Sequence, residues 1–331
     1  MSHKSAQKTL GQLLPRATRS YAAPRGPRAP PRQSPSAPKV APPPPLTERY
    51  DINQITPQTF EDAIRANKGV FGNIPPEHYH KCATRFAKAI HNGQNPLSVD
   101  VYGEVAIPIQ ILYQMGYLLR AVPRSNVTQN FATAMWASAS AAGHRLSTSL
   151  LSRDFKVSGT WGNAPAFKGL ENRFRQLVAE GKDRDALTVE GEDLYKSGKY
   201  IAAAMMLEKA LGLGDSGFFL KELCQMNLGR AYFKLGKIAQ ARELLEMMAS
   251  SGDWISADAD AELAQMLRPT DPDEAMQRMY SAALEGRDDM FQKLAEIAFE
   301  KEAHATDNKS KREHFLWGAE WSRLADSTVE Y

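Results

Sequence analysis

The run Gly212-Leu-Gly214-Asp-Ser-Gly217 has the glycine spacing of a dinucleotide-binding loop. Such a loop needs a strand before it, so that the following helix aims its N-terminus at a pyrophosphate. Met205–Leu211 stands in that place with Ala, Leu, Glu and Lys in helical spacing. The glycines therefore read as a turn between helices. The overlapping Gly214-Asp215-Ser216-Gly217 resembles a serine-protease nucleophile loop in lettering alone, because no barrel strands or matching histidine context accompany it. His78, His80 and Cys82 lie close together. On a helix, His78 and Cys82 at i and i+4 form a two-ligand edge, but a metal site needs three or four ligands and no partner pair follows. A packed or solvated helix surface is the plainer reading. His91, His144, His304 and His314 are isolated, and no Ser/His/Asp, Cys/His or paired-carboxylate arrangement stands out. Asn126-Val-Thr128 is a glycosylation sequon only in a secreted chain. The sequence thus predicts no catalytic residue, no cofactor, no metal and no enzyme.

The elements that carry these residues belong to a chain of 331 residues, 43% hydrophobic and 24% charged. That is an ordinary globular composition. Two cysteines rule out a disulfide scaffold and a four-cysteine metal site. No run of about 18 uncharged apolar residues predicts a membrane span. The nearest, Val105–Leu119, is interrupted by Pro108, Gln110 and Gln114 and reads as a buried helix.

Charge is unevenly placed. Eight of the 41 basic residues and none of the 38 acids fall in the first 46 residues, which leaves 33 against 38, a net of −5, in the rest. Residues 1–21 are basic, rich in hydroxyls and acid-free, with Leu10, Leu13 and Leu14 on one helical side beside Lys8 and Arg16. This composition is similar to a mitochondrial presequence, and it lacks the apolar core of a secretory signal. Arg19-Ser20-Tyr21-Ala22 resembles the processing pattern, which would leave Ala22 as the mature start. A mitochondrial location, in the matrix, is expected; the alternative is a basic tail that binds anionic surfaces. Residues 22–46 hold Pro24, Pro27, Pro30, Pro31, Pro35, Pro38 and Pro42–Pro45. They predict a disordered, basic, polyproline-type linker without a core.

From Thr47 on, the pattern predicts an all-α body. Thr56-Pro57 reads as an N-cap with proline at the first helical position. A helix is expected to start after Pro75-Pro76 and run to His91 with Tyr79, Cys82, Ala83, Phe86 and Ile90 on one face, ended by Asn92-Gly93. Further helical segments are expected at Val99–Val122 and Val127–Gly143. Residues 47–152 form a first helical region, 153–165 a loop separating two halves, and 166–331 a repeat domain.

The repeat rests on Gly191-x-x-Leu194-x-x-x-Gly198-x-Tyr200-x-x-Ala203 and Gly229-x-x-Tyr232-x-x-x-Gly236-x-Ile238-x-x-Ala241, each pair 38 residues apart. A small residue in one helix admits the next helix closely, and the glycine after Lys-Ser or Lys-Leu takes a positive φ at the helix end. These residues resemble the tetratricopeptide repeat and the Sel1-like repeat. Ala203–Gly214 and Ala275–Gly286 are similar to second helices of Sel1-like units. Phe315–Ala325 reads as another such helix or a cap, and Ala134–Gly143 echoes the pattern in the first half. The family's proline at the repeat end is missing, and the spacing implies about four inserted residues around Gly212–Phe219.

The resemblance implies antiparallel helix pairs stacked as an α-solenoid, with the first helix of each pair lining a concave groove. By the repeat alignment that groove includes Glu192, Tyr195, Met226, Asn227, Arg230, Phe233 and Lys234; the alternative is that each is an ordinary exposed residue. Thr188, Glu192, Asp258 and Glu262 stand where the family's clamp for acidic C-terminal peptides needs basic or amide side chains. A protein segment of mixed or basic character fits better. The expected function is a mitochondrial scaffold binding a protein partner, in assembly or maintenance of a respiratory or ribosomal complex. The alternatives are an RNA-associated translation or transcript factor, which the −5 body disfavours, and a subunit of the mitochondrial ribosome.

Overall fold

A computed structural model describes residues 45–326 apart from Glu104, Pro123, Arg124, Asp215, Ser216, Asp253 and Trp254. The expected presequence, its processing residues Arg19, Tyr21 and Ala22, and all but the end of the Pro-rich segment lie outside the described residues. Among those described, the secondary structure is helical and no strand is present.

The first helices are Leu46–Arg49 (α1), Pro57–Ala66 (α2), Pro76–His91 (α3), Ile109–Ala121 (α4) and Asn126–Ala141 (α5). They are followed by Arg145–Val157 (α6), Lys168–Glu180 (α7), Arg184–Lys196 (α8), Tyr200–Gly212 (α9) and Lys221–Lys234 (α10). The chain continues with Ile238–Ala249 (α11), Ser256–Leu267 (α12), Pro272–Leu284 (α13), Asp289–His304 (α14) and Asn308–Ala325 (α15). Helices consecutive in the chain pack on one another, as in a helical solenoid.

Local signals set several boundaries. The Thr56 hydroxyl accepts from the Thr59 N–H and Thr59 returns the bond to the Thr56 N–H, with Pro57 next, so α2 begins where its capping box requires. α3 runs from Pro76 to His91 and buries Tyr79, Cys82, Ala83, Phe86 and Ile90 on one face, as its spacing predicts. The Tyr79 hydroxyl, in the apolar interior, donates 3.0 Å to Gln114 Oε1.

Two expectations need correction. The described residues between 99 and 108 are not helical, and α4 starts only at Ile109. Pro108 disfavours helical dihedrals at Ile107, so Val99, Val101, Val105 and Ile107 are buried from a turn-rich segment. The loop expected at 153–165 is shorter, because α6 continues through Val157. Nor does it part the body into halves. Tyr113, Trp136 and Leu151 before it share one apolar cluster with Leu170, Phe174 and Leu223 after it.

Apolar burial passes along the chain in four such groups. The close contacts that the 38-residue spacing predicts lie along one of them. A Cβ at Gly191 of α8 would stand 2.6 Å from Leu207 Cγ of α9, and one at Gly229 of α10 would stand 3.1 Å from Leu245 Cγ of α11. Ala203 and Ala241 face back into their pairs, fully buried. Gly198 and Gly236 have φ of 75° and 74°. Behind each, the longer bond of a Schellman cap closes the helix: Lys199 N–H to Leu194 O at 2.9 Å, and Lys237 N–H to Tyr232 O at 3.0 Å. The echo in the first half carries the same device. His144 N–H donates to Ala139 O at 2.9 Å behind Gly143, whose φ is 94°. Gly116 of α4 likewise seats Trp136 of α5, since a Cβ there would stand 2.4 Å from the indole Cδ1.

Candidate partner-binding face

α8 packs on both α6 and α10, and α10 packs on α12. Charged side chains fasten this row of first helices. Glu192 of α8 is only 5% exposed. It accepts from Arg153 Nε at 2.6 Å, from Arg153 Nη2 at 3.0 Å and from Lys196 Nζ at 2.7 Å. Lys156 of α6 reaches Glu190 at 3.1 Å and Asp193 at 2.6 Å. Arg230 of α10 reaches Glu262 of α12 at 2.8 Å.

The seven predicted groove residues therefore divide. Met226 and Asn227 are 1% and 2% exposed and face the interior. The Asn227 amide donates to Leu223 O of its own helix at 3.0 Å. The prediction fails for these two because α10 packs on α8, α9, α11 and α12, which leaves it a narrow open stripe. Glu192 and Arg230 serve as ties between helices. Tyr195, Phe233 and Lys234 stay accessible. The first two are half-buried and the lysine is exposed. The Tyr195 ring lies 5.5 Å from Tyr200. Lys234 Nζ lies 5.6 Å from the Phe233 centroid, a cation–π contact.

The sequence motifs with chemical lettering do not converge. On α3, His78 is exposed while Cys82 is buried. Among the described residues no group of three or more His, Cys, Asp and Glu is placed to hold a metal ion. Burial pushes the Cys224 thiol up to about 11 and raises that of Cys82, which makes neither an activated nucleophile. Gly212 ends α9, so a helix precedes the glycine run where a dinucleotide site needs a strand. His144 accepts from the Ser147 N–H as the N-cap of α6, and burial lowers its pKa.

The composition of the repeats hid a cleft of about 380 Å³ lined by Tyr117, Trp136, Asp154, Phe219 and Glu222, with leucines between them. Its walls come from α4, α5, α6, α10 and the segment before α10. Phe219, at the end of the stretch inserted into the repeat spacing, forms part of one wall. Phe219 meets the rings of Tyr117 and Tyr113 edge-on, at 5.8 and 6.4 Å. The only sequence signal was the 38-residue period, which placed extra residues at Gly212–Phe219 without saying where they lead.

Asp185 holds that inserted segment. Its carboxylate accepts from the Leu220 N–H at 2.7 Å. Burial raises its pKa to about 6, with the Asp183 charge adding to the shift and the Leu220 bond and Arg184 opposing it. A folded-state pKa above the unfolded value means that the favourable contribution is full below about pH 4 and lost as pH rises through about 6. Asp185→Asn keeps an acceptor for Leu220 and removes the buried charge. The expected gain near neutral pH is about 1–2 kcal/mol, or roughly 2–6 °C in Tm, vanishing by about pH 4. Thermal melts of both proteins across that range check it, and a pH-independent difference would contradict the assignment.

Compared with known proteins, the chain matches no family model, no curated protein and no solved structure.

Proposed function

We propose that this chain is a mitochondrial helical-repeat scaffold, of tetratricopeptide or Sel1-like type. It holds a protein partner in the assembly or maintenance of a respiratory or ribosomal complex. The observation that supports the binding role is the pair Tyr195 and Phe233. They occupy equivalent positions 38 residues apart on neighbouring first helices, both half-exposed, with the Lys234 cation beside the second. Aromatic side chains with one face packed and one open are the usual anchors of a protein interface, carrying more of the affinity than the ion pairs around them. The location rests on the resemblance of residues 1–21 to a presequence.

The test is affinity purification of the tagged full chain from isolated mitochondria, with and without RNase, read by mass spectrometry. RNase-resistant recovery of the subunits of one complex is expected. It should fall at least about tenfold in the Tyr195→Ala, Phe233→Ala double variant, the loss of roughly 1.4 kcal/mol or more that anchor truncation brings. Unchanged recovery in a folded variant removes this face. Recovery that collapses with RNase favours the RNA-associated alternative, and a chain absent from mitochondria removes the location.

A further inference from the structure

The cleft lined by Tyr117, Trp136, Arg153, Asp154, Phe219 and Glu222 shares only Arg153 with the ties between helices just described, and its charges do not balance evenly. Two guanidinium groups lie in or under it, and both are already engaged. Arg153 is bonded through two nitrogens to Glu192. Arg120 places Nη1 2.5 Å from Asp154 Oδ2 and lies 4.4 Å from the Trp136 ring centroid. Glu222, in the first turn of α10, makes no ion pair with any described residue. The Asp154 side chain keeps about a third of its surface open beyond its contact with Arg120. Arg153, also in the lining and ion-paired, is about as open, so the charge of the cleft left without an ion-pair partner is that of Glu222, which is negative, and the walls between are aromatic and aliphatic.

We propose that this cleft receives an arginine side chain from the partner protein, so that the scaffold reading gains the chemistry of what it holds. The inference rests on that reading. A guanidinium is planar, stacks on aromatic rings and offers donors to more than one carboxylate. Tyr117 and Phe219 supply the rings, and Glu222 and Asp154 supply the acceptors. A volume of about 380 Å³ is at the small end for ligand clefts, which run from about 300 to 1,000 Å³. It suits one or two side chains better than a packed helix. An acidic anchor would meet the Glu222 and Asp154 carboxylates, and a purely apolar one would leave Glu222 covered without a partner, at a cost of a few kcal/mol.

The probe is the peptide Ac-Ala-Leu-Arg-Leu-Ala-amide, titrated calorimetrically into the full chain. Its controls replace the arginine by citrulline, an uncharged isostere, or by glutamate. Saturable binding of the arginine peptide is expected, about tenfold weaker for citrulline and undetectable for glutamate. Glu222→Gln should bring the arginine peptide down to the citrulline level, while Glu313→Gln on the exposed face of α15 should leave it unchanged. Equal binding of arginine and citrulline peptides, indifference to Glu222→Gln, or absence of binding each overturns the proposal. Circular dichroism melts establish that both variants fold. The scaffold reading fails separately. If a complex is recovered from mitochondria equally well with Glu222→Gln, the scaffold stands and the arginine site falls. If the peptide binds as described and no complex is recovered, the reverse holds.

Discussion

Gly191→Val is expected to lower the unfolding free energy by about 2–4 kcal/mol, and Gly229→Ala to leave it within about 1 kcal/mol of the parent. The two glycines are equivalent in the repeat but not in the room around them. A Cβ at Gly191 would lie 2.6 Å from Leu207 Cγ and 2.7 Å from its Cδ2. Leu207 is fully buried and has no open side to move into. Valine adds two further carbons to that overlap, so α8 and α9 must separate, and the close packing of the pair is lost. At Gly229 the nearest atoms are Leu245 Cγ and Cδ2 at 3.1 Å, a contact that a few tenths of an ångström relieve. Removing a glycine from a helix interior also returns roughly 0.8–1 kcal/mol of helix propensity, which offsets that relaxation. Chemical denaturation of the two variants checks both. A near-neutral Gly191→Val would mean that α8 and α9 do not approach as closely as the contact with Leu207 requires.

The same asymmetry explains what a reader of the sequence can and cannot see. Pro57, Pro76 and Gly93 fix helix ends by dihedral preference alone, and those ends fall where the residues say. Gly191, Gly198, Ala203 and their partners 38 residues on encode contact within one helix pair, which is local, so the pair is legible. Contact between pairs is not local. Met226 and Asn227 sit at spacings that suit an open face, and only the approach of α8 and α12 to α10 decides that they are inside. Arg153 and Trp161 fall in the stretch 153–165 that reads as a loop, yet Arg153 is held in α6 by its bond to Glu192 and the Trp161 ring packs 5.5 Å from Phe174. The cleft was the least legible feature. Its walls come from five stretches of chain, and Phe219, which helps to complete it, follows an inserted stretch with no periodicity to betray its direction.

Breaking the tie between α6 and α8 should cost more than removing it. Arg153→Met alone leaves Glu192 inside the protein with Lys196, a side chain about half exposed, as its remaining cation. The loss expected is about 3 kcal/mol, the low end of the range for breaking a buried pair, because Lys196 still offsets part of the charge. Arg153→Met with Glu192→Leu removes both charges from one site and should recover most of that loss, since apolar side chains of similar volume replace buried ion pairs at little or no cost. The pH dependence separates this tie from Asp185. Burial works against the charged form of Glu192, but the Arg153 and Lys196 bonds outweigh it and hold the carboxyl below the ordinary glutamate range. A depressed folded-state pKa gives stability that is present above the unfolded value and lost as pH falls through the folded one. Glu192 thus weakens the fold in acid, below about pH 4.5, and Asp185 weakens it as pH rises through about 6. Unfolding titrations of the double variant should lack the acid loss and keep the loss toward neutral pH, and Asp185→Asn should do the reverse. If the double variant remains as unstable as Arg153→Met, the bond between Arg153 and Glu192 is not what joins α6 to α8.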